Sequence, residues 1–202
     1  MLRKKLVAAR DLIPEDEARA IDAAIASHVF ESGFYRDAGS VFFYISIDRE
    51  VDTHKMILTA FADGKTVLVP RTGKVRRMEA VPVGEEEFYT RALTEWPRAF
   101  GVPEPPEGFP QPPEGFPPAP SFPDLVIAPS LAVDRSGYRL GYGGGFYDYY
   151  IEKVRAQKNR PVIAAVQRSM FVTDEPLPRE PYDMAVDLIV TENGIVNPSS
   201  FV

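Results

Sequence analysis

Ala18, Ile21, Ile25 and Val29 recur at three- and four-residue spacing, which predicts a helix with one apolar face turned to a core. Pro14 stands at its start, Glu15, Asp16 and Glu17 fill the favourable first turn, and Gly33 is its stop. Residues 2–11 read as a weaker helix ahead of it. The period then changes. Residues 41–47 (VFFYISI) form an unbroken β-branched and aromatic run that predicts a strand, with Asp48, Arg49, Glu50, Val51, Asp52 and Thr53 at its carboxyl end. Asp52 or Thr53 caps a helix carrying Ile57, Ala60 and Phe61, which ends at Gly64.

Residues 66–70 and 78–83 predict two further strands, separated by a loop holding Arg71, Lys74, Arg76 and Arg77. Arg71, directly after a strand end, is the candidate for an anion contact, and the other charges read as solvated. Residues 124–129 (DLVIAP) and 162–166 are continuous apolar runs of the kind buried in parallel sheets, and 186–191 is a last strand. A helix opens at Phe146, carries Tyr149, Tyr150 and Val154, and is barred by Pro161. Strands alternating with helices predict an α/β fold, layered around a mostly parallel sheet. Between 103 and 123 prolines dominate and PPEGFP occurs twice, at 105–110 and 112–117, which predicts an extended surface loop within one domain spanning 1–202.

Composition narrows the function. A net charge of -6 over 202 residues argues against a nucleic-acid binder, which needs a basic field to displace phosphate counterions. The absence of cysteine removes disulfides and thiolate chemistry. No stretch approaches membrane-spanning length and no signal peptide is visible, so a cytoplasmic protein is expected. Gly64-Lys65-Thr66 imitates the end of a P-loop, but Thr59 stands where its first glycine belongs and the element order is reversed. His28 and His54 have no partner at metal spacing and read as structural.

One stretch remains: Arg139, Leu140, Gly141, Tyr142, Gly143, Gly144, Gly145, Phe146, Tyr147 and Asp148. Glycines between a strand and a helix start let backbone amides approach a phosphate, although the same pattern also serves as a plain tight turn. Phe146 occupies the place of the third glycine in a dinucleotide fingerprint, so that reading fails. Arg139 offers a forked donor to phosphate, and Asp148 a hard oxygen for Mg²⁺, with one distant carboxylate such as Asp183 sufficing beside it. Glu50 stands out among the acids because it follows a strand end.

The stretch resembles the RLGxGxGYYD signature of the 5-formyltetrahydrofolate cyclo-ligase family, with Phe146 in place of one tyrosine. The resemblance extends through Leu2-Arg3-Lys4, Glu50 to Thr53, Val69-Pro70-Arg71, Ile127 to Asp134, Tyr182-Asp183 and Asp187 to Glu192. Tyr182 stands where many members have histidine, and Lys4 or Lys5 takes the place of the family's N-terminal lysine. The resemblance implies a three-layer fold like the NagB/RpiA/CoA-transferase group. It also implies ATP- and Mg²⁺-dependent cyclisation of 5-formyltetrahydrofolate to 5,10-methenyltetrahydrofolate through a phosphorylated formyl group, releasing ADP and phosphate.

By matching position, Arg3 and residues 139–147 would hold ATP, with Arg139, Tyr147 and Asp148 catalytic. Ile45, Glu50 and residues 142–146 would meet the folate, polyglutamylated or not, and Asp148 and Asp183 would serve Mg²⁺. No nucleic acid or membrane is expected as a partner, and a monomer is expected before a homodimer. Two other readings stand beside this one: a paralogue acting on another folate- or pterin-like compound, and an interaction module presenting the repeated PPEGFP segment.

Overall fold

A computed structural model describes residues 2–92, 94–109 and 122–198. In chain order the first part holds α1 (Leu2–Asp11), α2 (Glu15–Glu31), α3 (Gly33–Arg36), β1 (Ser40–Phe43), α4 (His54–Ala62), β2 (Thr66–Thr72), β3 (Met78–Val83), α5 (Glu85–Glu87), β4 (Arg98–Ala99) and β5 (Val102–Pro103). The second part holds β6 (Leu125–Ala128), β7 (Ala132–Asp134), β8 (Arg139–Leu140), α6 (Phe146–Arg155), β9 (Val162–Val166), β10 (Val172–Thr173), β11 (Leu188–Thr191) and β12 (Gly194–Val196).

Seven strands make one sheet in the order β12-β11-β9-β6-β1-β2-β3. It is parallel from β11 to β2 and antiparallel at its two edges. Alternation along the strands divides the core between its faces. Val41, Phe43, Leu125 and Ile127 pack with Ile25 and Val29 of α2 and Ile57 of α4. Phe42, Val126, Ile163 and Ala165 pack with Tyr150, Ile151 and Val154 of α6. Helices on both faces of a mostly parallel sheet give the expected three-layer α/β architecture.

Several boundaries differ from the sequence expectation. The first amphipathic helix stops at Glu31, because the Ser32 hydroxyl caps a new turn that starts at Gly33. The strand predicted over 41–47 pairs only from Ser40 to Phe43. Beyond it, the amide of Ser46 donates to the Thr53 hydroxyl and that of Ile47 to the Glu50 carboxylate, so the following turn takes donors a neighbouring strand would have used. Asp52, as expected, accepts from the amide of His54 at the start of α4.

Arg71 lies within β2, opposite Glu79, and is bonded to that carboxylate and to the Pro106 carbonyl. It is therefore a residue of the sheet and not one directly after a strand end, and two of its three nitrogens are held by protein acceptors. The proline-rich stretch also begins differently from expectation. Pro103 belongs to β5, Glu104 is buried and accepts from the Thr72 amide and hydroxyl, and Phe109 packs edge-on against Trp96. The second PPEGFP copy lies outside the described residues.

Candidate active site

The strand entering the glycine loop belongs to a separate small sheet, β10-β7-β8, and not to the central one. Chain leaving β6 turns through the β7–β8 hairpin first, so the loop is carried across the carboxyl ends of the central strands. Gly143 and Gly145 adopt φ of +103° and +69°, and a Cβ on Gly144 would stand 2.7 Å from the Phe146 ring. Gly143 and Gly145 need glycine for their backbone conformation, whereas at Gly144 the obstacle is the Phe146 side chain. Gly145 is the N-cap of α6 without any side-chain cap, which leaves the first amides of the helix as unused donors.

Residues far apart in sequence converge here. Arg3 on α1 donates from Nε to the Gly141 carbonyl at 2.7 Å, and its guanidinium carbon lies 3.8 Å from the space beside Gly143. Seven residues on, and so on the same helix face, Arg10 donates to the Tyr142 hydroxyl at 2.6 Å. A cavity of about 300 Å³ opens beside Arg3 and Tyr142, lined also by Lys4, Val7, Asp11 and Leu131. Arg10 escaped the sequence reading, although its seven-residue spacing from Arg3 was a usable signal.

Below the loop lies a buried ion pair. Arg139, with only 3% of its side chain exposed, donates from Nη2 to Asp148 Oδ1 at 3.0 Å. The same oxygen accepts the Met184 amide at 3.1 Å, which ties the 183 segment to the start of α6. Burial pulls the Arg139 guanidinium down from its ordinary value, and Asp148 opposes that. Arg139 Nε and the Tyr147 hydroxyl are buried with no hydrogen-bond partner among the described residues. Buried donors without acceptors are costly, about 1–3 kcal/mol each, and mark a place where a ligand can repay them. The Tyr147 ring stacks on Phe42, and burial raises its hydroxyl well above the usual range, with Glu50 adding to the rise.

Glu50 sits on the other side of Tyr142. Burial raises its pKa, and the Ile47 amide, the Tyr142 hydroxyl and the Arg10 charge offset part of that rise. Ile45, expected beside it against a folate, is 1% exposed. It continues the face of Val41 and Phe43 into the core, so its side chain backs the site and does not line it.

The basic β2–β3 loop contributes what Arg71 does not. Val75 and Arg76 hold φ near +60°, a rare conformation for side chains of their kind. That turn brings Arg76 to within 3.5–3.6 Å of the space beside Gly145, and its guanidinium lies 5.6 Å from the Tyr182 ring centroid. Nothing in the spacing of the loop charges distinguished Arg76 from its neighbours. Phe100, 80% exposed, meets the Phe146 ring at 5.4 Å and adds an aromatic edge that the sequence did not suggest.

Asp183 uses Oδ2 to accept the Glu180 amide at 2.7 Å. Among the described residues no three His, Asp or Glu side chains gather as a metal centre. Magnesium does not need one, because it keeps most of its waters and takes one or two carboxylates. Asp148 Oδ2 and Asp183 Oδ1 lie outside these bonds and are hard oxygens of the type Mg²⁺ takes.

Comparison with known proteins agrees over nearly the whole chain. The sequence model described as the 5-formyltetrahydrofolate cyclo-ligase family matches residues 1–192. The 5-formyltetrahydrofolate cyclo-ligase of Mycolicibacterium smegmatis is 32% identical over 198 residues, covering 96% of this chain and 94% of that protein. That of Mus musculus is 27% identical over 163 residues, covering 79% and 76%. The Aquifex aeolicus 5,10-methenyltetrahydrofolate synthetase structure shares the fold, with a TM-score of 0.71 at 24% identity, covering 98% of this chain and 91% of that one. With a whole-length family match and a relative above 30% identity, the chain belongs to the 5-formyltetrahydrofolate cyclo-ligase family, which are ligases of folate one-carbon metabolism.

Proposed function

We propose that this protein cyclises 5-formyltetrahydrofolate to 5,10-methenyltetrahydrofolate with ATP as co-substrate and Mg²⁺ as cofactor, in the cytoplasm, with residues 1–202 acting as one domain. The observation that carries the proposal is the convergence on the glycine loop. Arg3 from α1 bonds to it and the segment after Asp183 bonds to Asp148 just beyond it, over Arg139 and Tyr147, whose buried Nε and hydroxyl have no hydrogen-bond partner among the described residues.

In this reading the amides at the start of α6, with Arg3, Arg76 and Arg139 around them, bind the polyphosphate, because free backbone donors and forked guanidiniums suit it. Leu140, Gly141, Gly143, Gly144 and Gly145 bring the backbone close. Tyr142, Phe146 and Phe100 form an aromatic edge for the ring system of the folate, and Glu50, backed by Ile45, meets its polar edge. Asp148 and Asp183 hold Mg²⁺, which when bound offsets charge on the phosphates.

The formyl oxygen is a weak nucleophile. The site must hold it in line with the γ-phosphorus, so positioning and charge neutralisation carry the rate. As the oxygen–phosphorus bond forms, the bond to the β-phosphate bridging oxygen breaks and ADP leaves. N10 then attacks the activated carbon, its proton is lost, and phosphate departs with the former formyl oxygen as the ring closes. Arg139 and the Tyr147 hydroxyl, whose raised pKa keeps it a donor, stabilise the charge on the transferring group.

The test is an absorbance assay for methenyltetrahydrofolate with 5-formyltetrahydrofolate, ATP and Mg²⁺. Appearance of product that requires all three supports the proposal. No product at any enzyme concentration, together with binding of a different pterin, overturns it in favour of another substrate in the same fold.

A further inference from the structure

Arg168 follows β9, lies far in sequence from the glycine loop and from Glu50, and is 2% exposed. Its Nε donates to Asp22 Oδ1 and its Nη2 to Asp22 Oδ2, both at 2.9 Å, in a bidentate pair with a residue of α2 that is 8% exposed. The remaining donors point at main chain of the Glu50 turn. Nη1 donates to the Arg49 carbonyl at 3.1 Å and Nη2 to the Glu50 carbonyl at 3.4 Å. Asp22 completes the grip by accepting the Asp52 amide at 3.1 Å.

Both ends of this clamp rest on rigid elements. The Arg168 amide donates to the Gln167 side chain, whose amide nitrogen donates to the Ser130 carbonyl and hydroxyl beyond β6. Opposite, the turn contains Asp48 at φ +51°, a left-handed conformation that persists where surroundings over-determine it. A buried ion pair is a poor source of stability, because desolvation cancels most of its attraction and an apolar pair of similar size does as well or better. Its yield here is geometric: two carbonyls and one amide of a four-residue turn are fixed at once.

We propose that the Arg168–Asp22 pair is a positioning device for Glu50, setting how that carboxylate is presented to the folate while touching neither substrate. The proposal rests on the reading that Glu50 faces the folate. It predicts a selective effect, since the clamp bonds the Glu50 turn directly and reaches the glycine loop only through the contact of Glu50 with the Tyr142 hydroxyl.

The experiment uses Asp22→Asn and Arg168→Lys in the full chain, each alone and combined with Glu50→Gln. Asp22→Asn keeps shape and an acceptor oxygen, and Arg168→Lys keeps charge but cannot span four acceptors. The expected result is a rise of about tenfold in KM for 5-formyltetrahydrofolate, on the scale of a small misplacement of a binding group, with KM for ATP and kcat within about twofold. The rise should vanish in the Glu50→Gln background, because a device acting through Glu50 has nothing left to position.

Hydrogen exchange of the free protein provides an arm that needs no substrate. The Glu50 and Asp52 amides should exchange faster in Asp22→Asn, while the α6 amides do not change. Equal rises in both KM values, an undiminished effect without Glu50, or unchanged exchange at residues 50–52 overturns the clamp. If Glu50→Gln leaves the folate KM unaltered, the folate reading of Glu50 fails instead, and the exchange arm still decides whether the clamp holds the turn.

Discussion

Replacing Asp148 with Asn changes one charge and almost no volume, and it separates two roles of this residue. Its partner Arg139 is 3% exposed, against 19% for Asp148, so the guanidinium would be left charged in the interior. Breaking a buried pair from one side costs about 3–5 kcal/mol. The Asn oxygen still accepts one of the two bonds that converge on Oδ1, which places the expectation at the lower end, about 3 kcal/mol. For a chain of this size about 2–4 °C is lost per kcal/mol, so Tm should fall by about 6–12 °C.

The turnover loss should be larger than the stability loss explains. A variant that stays folded at 25 °C should lose about 10²-fold or more in kcat if Asp148 holds the metal and orients Arg139 at the transferring phosphate. Thermal melts by circular dichroism and the absorbance assay across a Mg²⁺ series measure the two effects. Arg139→Met combined with Asp148→Asn should regain much of the stability, since no charge is left buried, but none of the activity. A Tm change below 2 °C would remove the buried-pair argument, and turnover within about threefold of wild type would remove Asp148 from the metal and phosphate site.

Three further outcomes follow from the same geometry. Arg76→Ala should raise KM for ATP by about three- to tenfold with no loss of Tm, because an exposed guanidinium over Gly145 contributes to ligand binding and not to folding; isothermal titration with a non-hydrolysable ATP analogue measures it. Tyr142→Phe removes the hydroxyl between Arg10 and Glu50, and should raise KM for the folate by about fivefold while leaving KM for ATP near wild type. Burial raises the Glu50 pKa above its ordinary value of 4.5, so the folded state binds more protons than the unfolded one as pH climbs through that region. Stability relative to Glu50→Gln is therefore greatest below 4.5 and lost as pH rises through the folded pKa; matched urea titrations across pH 4 to 8 that give a constant difference would contradict it.

Much of the central sheet was legible because buried parallel strands are short apolar runs: residues 124–129 and 162–166 became β6 and β9 almost to the residue. The 41–47 run was not, since composition cannot show that Thr53 and Glu50 side chains would take the amides beyond Phe43. Arg71 and Arg76 show the same limit among the charges. Both are arginines near a strand end, and only the antiparallel register of β2 with β3 puts one opposite Glu79 and frees the turn to carry the other onto Gly145.

The glycine stretch and its flanking Arg139 and Asp148 are local features, so their residue types raised a phosphate site as a candidate, beside a plain tight turn, without any fold. What they assemble with is not local. That Arg3 and Arg10 on α1, Glu50 after β1, Arg76 on an edge turn and the chain after Asp183 surround one loop follows from the order β11-β9-β6-β1-β2, which gathers the carboxyl ends of parallel strands at one rim. Pairing order is a property of the packed sheet, where each strand's neighbours are chosen by burial on both faces, and no pattern along the chain encodes it.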